Sequence, residues 1–143
     1  MILVIDSNIL LASLIRDSTV RKIIVESGWE FYYPEMSFHE VRKYKDLVLE
    51  KSGMNKEEYT ELLNHLLKHI TLVPEEQIKV KIEEANKILG KIDPDDVVFL
   101  ATAFSIVNSK IWSDDAHFEK QDKVRVSKTK HIMRLFYPEN TKN

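Results

Sequence analysis

Ile2-Leu3-Val4-Ile5 is wholly apolar and stops abruptly at Asp6-Ser7-Asn8. A strand with one wet face alternates apolar and polar residues, so a run without alternation marks a strand buried on both faces. Such a strand needs helices above and below it, and the rest of the chain supplies them. Ile9, Leu10, Leu14 and Ile15 share one helical face. A second helix is expected over Thr19–Ser27, stopped by Gly28, and then a strand over Phe31–Tyr33. Ser37-Phe38-His39-Glu40 opens a helix reaching to about Lys51, with Gly53 after it. Asn55 caps the next, in which Tyr59, Leu62, Leu63, Leu66, Leu67 and Ile70 recur at helical spacing. A strand over Thr71–Val73 and a helix over Glu75–Leu89, ended by Gly90, follow. Asp93-Pro94-Asp95-Asp96 begins an apolar helix that runs through Val107. Ile111-Trp112 is a strand, Asp114–Glu119 a short helix, Val124–Val126 a last strand, and Ser127 caps a helix ending near Phe136. Strand–helix alternation of this kind predicts a three-layer α/β/α domain, with a parallel sheet of about four or five strands, over residues 1–143.

Composition removes several chemistries. There is no cysteine, so disulfides, thiol catalysis and cysteine metal sites are excluded. The three glycines, Gly28, Gly53 and Gly90, are far apart, so no Gly-rich phosphate loop exists. Ser13, Ser37 and Ser113 lack the G-x-S-x-G context of a serine hydrolase. His65 and His69 stand at i,i+4, a zinc-pair spacing, but Leu-Leu-Lys between them lacks a metalloprotease glutamate, and a solvated face explains them better. No run is long and apolar enough to span a membrane, and no basic leader precedes Ile2; a cytoplasmic location is expected. The formal net charge is −2, so contact with nucleic acid must rest on a local patch.

In a parallel α/β sheet, ligands bind beyond the carboxyl ends of the strands. Asp6 leaves the first strand there, and Asp114 and Asp115 leave the Ile111-Trp112 strand. Asp93, Asp95 and Asp96 open a helix, and Glu40 lies just inside another. Each has an ordinary explanation as well. Asp6 and Asp114 suit N-caps, Ser37…Glu40 a capping box, and Asp93-Pro94-Asp95-Asp96 an acidic first turn with proline at N1. Capping does not explain why two apolar strands both end in aspartates. Converged carboxylates repel one another unless a cation sits among them, and oxygen ligands suit Mg²⁺ or Mn²⁺. Such a centre hydrolyses phosphodiesters.

These residues resemble the PIN domain, a metal-dependent nuclease fold of RNA-processing enzymes and of toxins in toxin–antitoxin pairs. Ile5-Asp6-Ser7-Asn8-Ile9-Leu10 is similar to the family's first motif. Glu40 in Ser37-Phe38-His39-Glu40-Val41 matches its second acid. Asp96, with the helix Val97-Val98-Phe99-Leu100-Ala101-Thr102-Ala103, matches the third. Trp112-Ser113-Asp114-Asp115-Ala116-His117-Phe118 is similar to the Thr/Ser-x-Asp-x-x-Phe motif and places the fourth at Asp115. The sequence leaves open whether Asp93 or Asp95 replaces or supplements Asp96, and whether Asp114 takes the role of Asp115.

The resemblance implies an acidic pocket with one or two Mg²⁺ or Mn²⁺ ions, single-stranded RNA as substrate, a homodimer, and an antitoxin protein as a partner if the chain is a toxin. Asp6, Asp96 and Asp115 would hold metal, and Glu40 would bind metal or orient the attacking water. Asn8 and Ser113 would position carboxylates or water. Because an acidic pocket repels phosphates, basic residues are needed at its rim. The candidates are Arg16, Arg42, Lys43 and Lys45, and a basic cluster between Lys120 and Arg134. Trp29, Tyr32 and Tyr33 are either base-stacking or core aromatics. The alternatives are a non-catalytic nucleic-acid-binding module, or a phospho-accepting receiver, for which no lysine stands at a suitable strand end.

Overall fold

The computed structural model describes residues 1–15, 18–91 and 93–138. Among these residues, five strands form one wholly parallel sheet. The strands are β1 (Ile2–Ile5), β2 (Glu30–Pro34), β3 (Ile70–Val73), β4 (Lys110–Trp112) and β5 (Val126–Ser127), in the spatial order β3-β2-β1-β4-β5. β1 is therefore central, and Leu3, Val4 and Ile5 are fully buried, as a two-sided apolar strand requires.

The chain moves outward from β1 to β3 on one side, then returns to β4 on the other. The intervening helices are α1 (Ser7–Leu14), α2 (Thr19–Glu26), α3 (Phe38–Lys43), α4 (Lys45–Ser52) and α5 (Lys56–Leu67), then α6 (Glu75–Leu89) and α7 (Val97–Phe104); α8 (Thr129–Phe136) ends the fold. Right-handed crossovers in opposite directions put α1, α2 and α5 on one face and α6 with α7 on the other. The contacts agree: α1 packs on α2, α3, α4 and α5, whereas α7 packs on α6, β1, β2 and β4. This is the three-layer arrangement expected from the alternation.

Local chemistry sets most boundaries. Asn55 accepts the Glu58 N–H at 2.8 Å and Glu58 accepts the Asn55 N–H at 3.1 Å, a complete capping box. Gly53 ends α4 with φ +73°, a left-handed position that any side chain would strain. Several boundaries differ from the sequence expectation, among them the last strand, which is Val126–Ser127 and not Val124–Val126, and the short helix after β4, which is a 3-10 turn over Ala116–Lys120. The helix expected from Ser37 to Lys51 is two, α3 and α4, bent at Tyr44 (φ −98°, ψ 11°), so that both pieces lie against α1. The Ser37–Glu40 capping box does not form: Ser37 makes no side-chain cap, and Glu40 turns instead to Ser7. The helix expected to run to Val107 stops at Phe104, because the Ser105 hydroxyl takes the Thr102 carbonyl at 2.7 Å and Asn108 adopts φ +63°. Ser127 is not a helix cap. Its carbonyl accepts the Ser113 N–H at 3.1 Å in the ladder, and α8 starts later.

No helix among the described residues is long and apolar enough to cross a membrane.

Candidate metal centre

Sheet register brings the first two site residues together. β1 pairs with β4 so that Ile5 faces Trp112, and one step further Asp6 lies beside Ser113. The Ser113 hydroxyl donates to Asp6 Oδ2 and accepts the Asp115 N–H at 3.0 Å. Asp6 Oδ1 accepts the Ile9 N–H at 2.9 Å, capping α1. This is the point where strand order reverses, the standard ligand position of open α/β sheets. Asp6 is only 6% exposed. Burial pushes its carboxyl up to about 6; the Ser113 and Ile9 bonds oppose that, and Asp115 and Asp114 add to it by repulsion.

Glu40 arrives on α3, which packs against α1. A 3-10 turn over Glu35–Ser37 carries the chain from β2 into α3, and the Ser7 hydroxyl donates to Glu40 Oε2. Ser7 oxygen also meets the Tyr33 hydroxyl at 2.7 Å, and Tyr33 donates to the Ser37 carbonyl at 3.0 Å. Burial, helped by Glu40 and Asp6, raises the Tyr33 pKa, so the phenol keeps its proton. The sequence leaves Ser7 unmarked as a site residue and offers Tyr33 only as a base-stacking or core aromatic. The signal for Ser7 is its place inside the first motif, beside Asp6.

Asp96 enters from the α6–α7 layer. Asp93 caps a 3-10 turn over Pro94–Asp96 by accepting the Asp95 N–H at 3.0 Å, with Pro94 at N1 as expected. The turn carries Asp96 inward, 8% exposed, and leaves Asp95 exposed. Asp96 Oδ2 is buried without a hydrogen-bond partner. Burial raises the Asp96 carboxyl, with repulsion from Asp115 and Asp93, and His117 works against it.

Asp6, Glu40, Asp96 and Asp115 line one cleft of about 240 Å³, together with Ser7, Asn8, Leu11, Lys43, Tyr44, Asp95 and Phe99. Five acids and one lysine therefore face the same space. Asp115, not Asp114, is the cap of the 3-10 turn over Ala116–Lys120: it accepts the His117 N–H at 2.9 Å. Asp114 is turned outward to Thr129. His117, which the sequence reading did not mark as a site residue, completes the acidic group. Its Nδ1 lies 2.9 Å from Asp93 Oδ2, and 3.5 Å from both Asp96 Oδ2 and Asp115 Oδ1. Its pKa is raised, first by the Asp93 hydrogen bond and then by Asp115.

The candidate basic residues divide. Lys43 lines the cleft. The Arg42 guanidinium lies over Phe38 at 5.6 Å and the Lys45 ammonium over Tyr59 at 5.4 Å, both apart from the cleft lining. Arg16 lies outside the described residues. No base of the 120–134 cluster lines the cleft, and Lys128 pairs with Glu119 at 3.3 Å. Tyr33 is core, Tyr32 is half-buried, and Trp29 packs edge-on against Phe136 at 6.2 Å. The rings of His65 and His69 pack edge to face at 5.5 Å, remote from these acids in the sequence and absent from the cleft lining.

The residues fit a divalent cation. A buried carboxylate oxygen without a partner is costly unless a cation satisfies it, and the cleft holds too few bases to neutralise its acids. The donors are mostly hard oxygens, as Mg²⁺ and Mn²⁺ require.

No curated protein matches the chain. The family model described as PIN domain matches residues 4–134, from β1 through α8. PIN domains are in general metal-dependent nucleases that bind nucleic acid. A match of that extent, on a sheet that collects its acids at the strand-order reversal, shows that the chain belongs to the PIN-domain family.

Proposed function

We propose that the protein is an endoribonuclease, dependent on Mg²⁺ or Mn²⁺, that hydrolyses phosphodiester bonds of single-stranded RNA. The observation that carries this reading is the meeting of Asp6, Glu40, Asp96 and Asp115 in one cleft, with Asp96 Oδ2 buried and unpartnered. Asp6, Asp96, Asp115 and Glu40 would hold the cation, which supplies polarisation of a phosphoryl oxygen and a more acidic water.

The chain's own residues do the rest. Ser113 holds Asp6 Oδ2 and so fixes the carboxylate that leaves the central strand. Ser7 holds Glu40 Oε2, so that Oε1 accepts the proton of the attacking water. Asn8 and Asp95, exposed at the cleft, hydrogen-bond water or ribose. Lys43 offsets the repulsion between the acids and an incoming phosphate, and the half-exposed Tyr44 beside it offers a ring for a base. Acids this deeply set favour a flexible single strand, whose phosphate can enter the cleft, over a duplex that presents its phosphates on a convex rod.

The family resemblance supports two finer assignments, a homodimer and a toxin restrained by an antitoxin protein, acting in the cytoplasm. Light scattering tests the first. Growth arrest on induction, relieved by Asp6→Asn, tests the second.

The decisive experiment is cleavage of single-stranded RNA by wild type and Asp6→Asn with Mg²⁺, Mn²⁺ or EDTA, alongside a thermal melt. Cleavage by wild type alone, abolished by EDTA, is expected. A folded, metal-loaded wild type that binds RNA without cutting it would make the protein a non-catalytic binding module.

A further inference from the structure

The acids fall into two groups that differ in what already holds them. Both Asp6 oxygens and Glu40 Oε2 are engaged by Ile9, Ser113 and Ser7. On the other side, donor atoms of Asp93, Asp96, Asp115 and His117 all lie within 4.8 Å of one another. Asp96 Oδ2 there is buried and lacks a hydrogen bond, with His117 Nδ1 at 3.5 Å, beyond ordinary hydrogen-bond length. Opposite ligands of an octahedral ion stand about 4.2 Å apart and neighbouring ones about 3 Å. The four donors therefore lie close to the spacing that one ion's ligands need, the widest pair at most about 0.6 Å beyond it, and one of them is nitrogen.

We infer that His117 is a direct metal ligand, with Asp93, Asp96 and Asp115, and that its imidazole biases this position toward a first-row transition ion over Mg²⁺. The inference rests on the metal-nuclease reading and adds to it two ligands, Asp93 and His117, and the ion class. Mg²⁺ takes oxygen ligands and keeps several waters. Imidazole nitrogen suits Zn²⁺, Fe²⁺ and Ni²⁺, whereas Mn²⁺ shares the oxygen preference of Mg²⁺. Loading would exchange the 2.9 Å contact between His117 Nδ1 and Asp93 Oδ2 for bonds from both groups to one ion. The side chain of His117 is 42% exposed, so an ion can reach it, and its removal leaves the core intact.

The test measures binding of the metals alone. Titration calorimetry with Zn²⁺ and Mg²⁺ is run on wild type, His117→Ala and Asp6→Asn, with melts in EDTA to show that each variant is folded. His117→Ala is expected to weaken Zn²⁺ about tenfold or more while leaving Mg²⁺ nearly unchanged, so that the preference for Zn²⁺ collapses. In parallel, nitrogen NMR on [¹⁵N]histidine protein is followed during Zn²⁺ addition, in a His65→Ala/His69→Ala background that removes the only i,i+4 histidine pair. The His117 nitrogen resonance should shift with one equivalent of Zn²⁺ and not with Mg²⁺. Equal loss of Zn²⁺ and Mg²⁺ affinity, or an unmoved His117 resonance while the ion binds, would show an imidazole that only pairs with the acids, and would overturn the inference while leaving the metal-nuclease reading intact. Failure of wild type to bind any divalent ion would overturn both.

Discussion

Asp114 holds Thr129 by two bonds, accepting its backbone N–H at 2.8 Å and its hydroxyl at 2.7 Å, and so closes the first turn of α8 from outside. The same Thr129 hydroxyl accepts Trp112 Nε1–H at 3.0 Å, so β4 and α8 are tied through one residue. Adjacent acids therefore have separate tasks. Asp114→Ala should cost about 1–2 kcal/mol of stability and leave most RNA cleavage in place. Asp115→Asn should retain the fold and lose metal binding and cleavage by orders of magnitude. Urea denaturation and cleavage rates on the two variants check both statements; similar activity loss in both would contradict the division.

The metal-free protein should become less stable as pH rises toward neutrality. Asp6 is raised in the fold from 3.8 to about 6, so the native state holds a proton that the unfolded chain has already released. Its contribution is fully present below about pH 4 and is lost as pH rises to about 6. A shift of that size corresponds to about 3 kcal/mol at most. Asp96 and His117 are also raised and act with the same sign. Melts in EDTA across this range should show the decline in wild type and a flatter profile in Asp6→Asn, which should be the more stable of the two at pH 7.

Ser7→Ala tests whether Glu40 works only when oriented. The substitution removes the donor to Glu40 Oε2 and leaves the Tyr33 hydroxyl bonded to the Ser37 carbonyl. Stability should change by about 1 kcal/mol. The maximal cleavage rate should fall about 10- to 100-fold, with RNA affinity little altered. A proportional change in affinity would mean that Ser7 shapes the RNA surface instead.

Lys43 and Lys45 should separate by position. Lys43 lines the acidic cleft, whereas the Lys45 ammonium sits over Tyr59 of α5. Lys43→Ala should weaken RNA binding and lower the salt-dependence slope by about one ion. Lys45→Ala should leave both nearly unchanged. Binding isotherms at several salt concentrations distinguish them, and equal slopes would show that neither lysine meets a phosphate.

The apolar run Ile2–Ile5 was enough to place β1 at the centre of a parallel sheet, because only a strand covered on both faces tolerates no polar alternation. Its abrupt end made Asp6 legible as a site residue. The Asn55 cap and the α6 boundaries are equally local and match the expectation, whereas the Ser37–Glu40 box, just as local, is lost because Glu40 turns to Ser7. What lay beyond the sequence were choices between neighbours. Asp93, Asp95 and Asp96 are alike in composition, and only the 3-10 turn at Pro94 sends Asp96 inward and leaves Asp95 in water. Asp114 and Asp115 are likewise alike, and only the packing of α8 claims the first. His117 joins Asp93 across 24 residues, and Ser113 joins Asp6 across 107. Local sequence determined the periodicity, the Asp6 and Asn55 caps and the acids at strand ends, because those depend on backbone geometry over one or two turns. The tertiary structure decided which carboxylates share the cleft, because sheet register and crossover direction, not spacing along the chain, set which side chains meet.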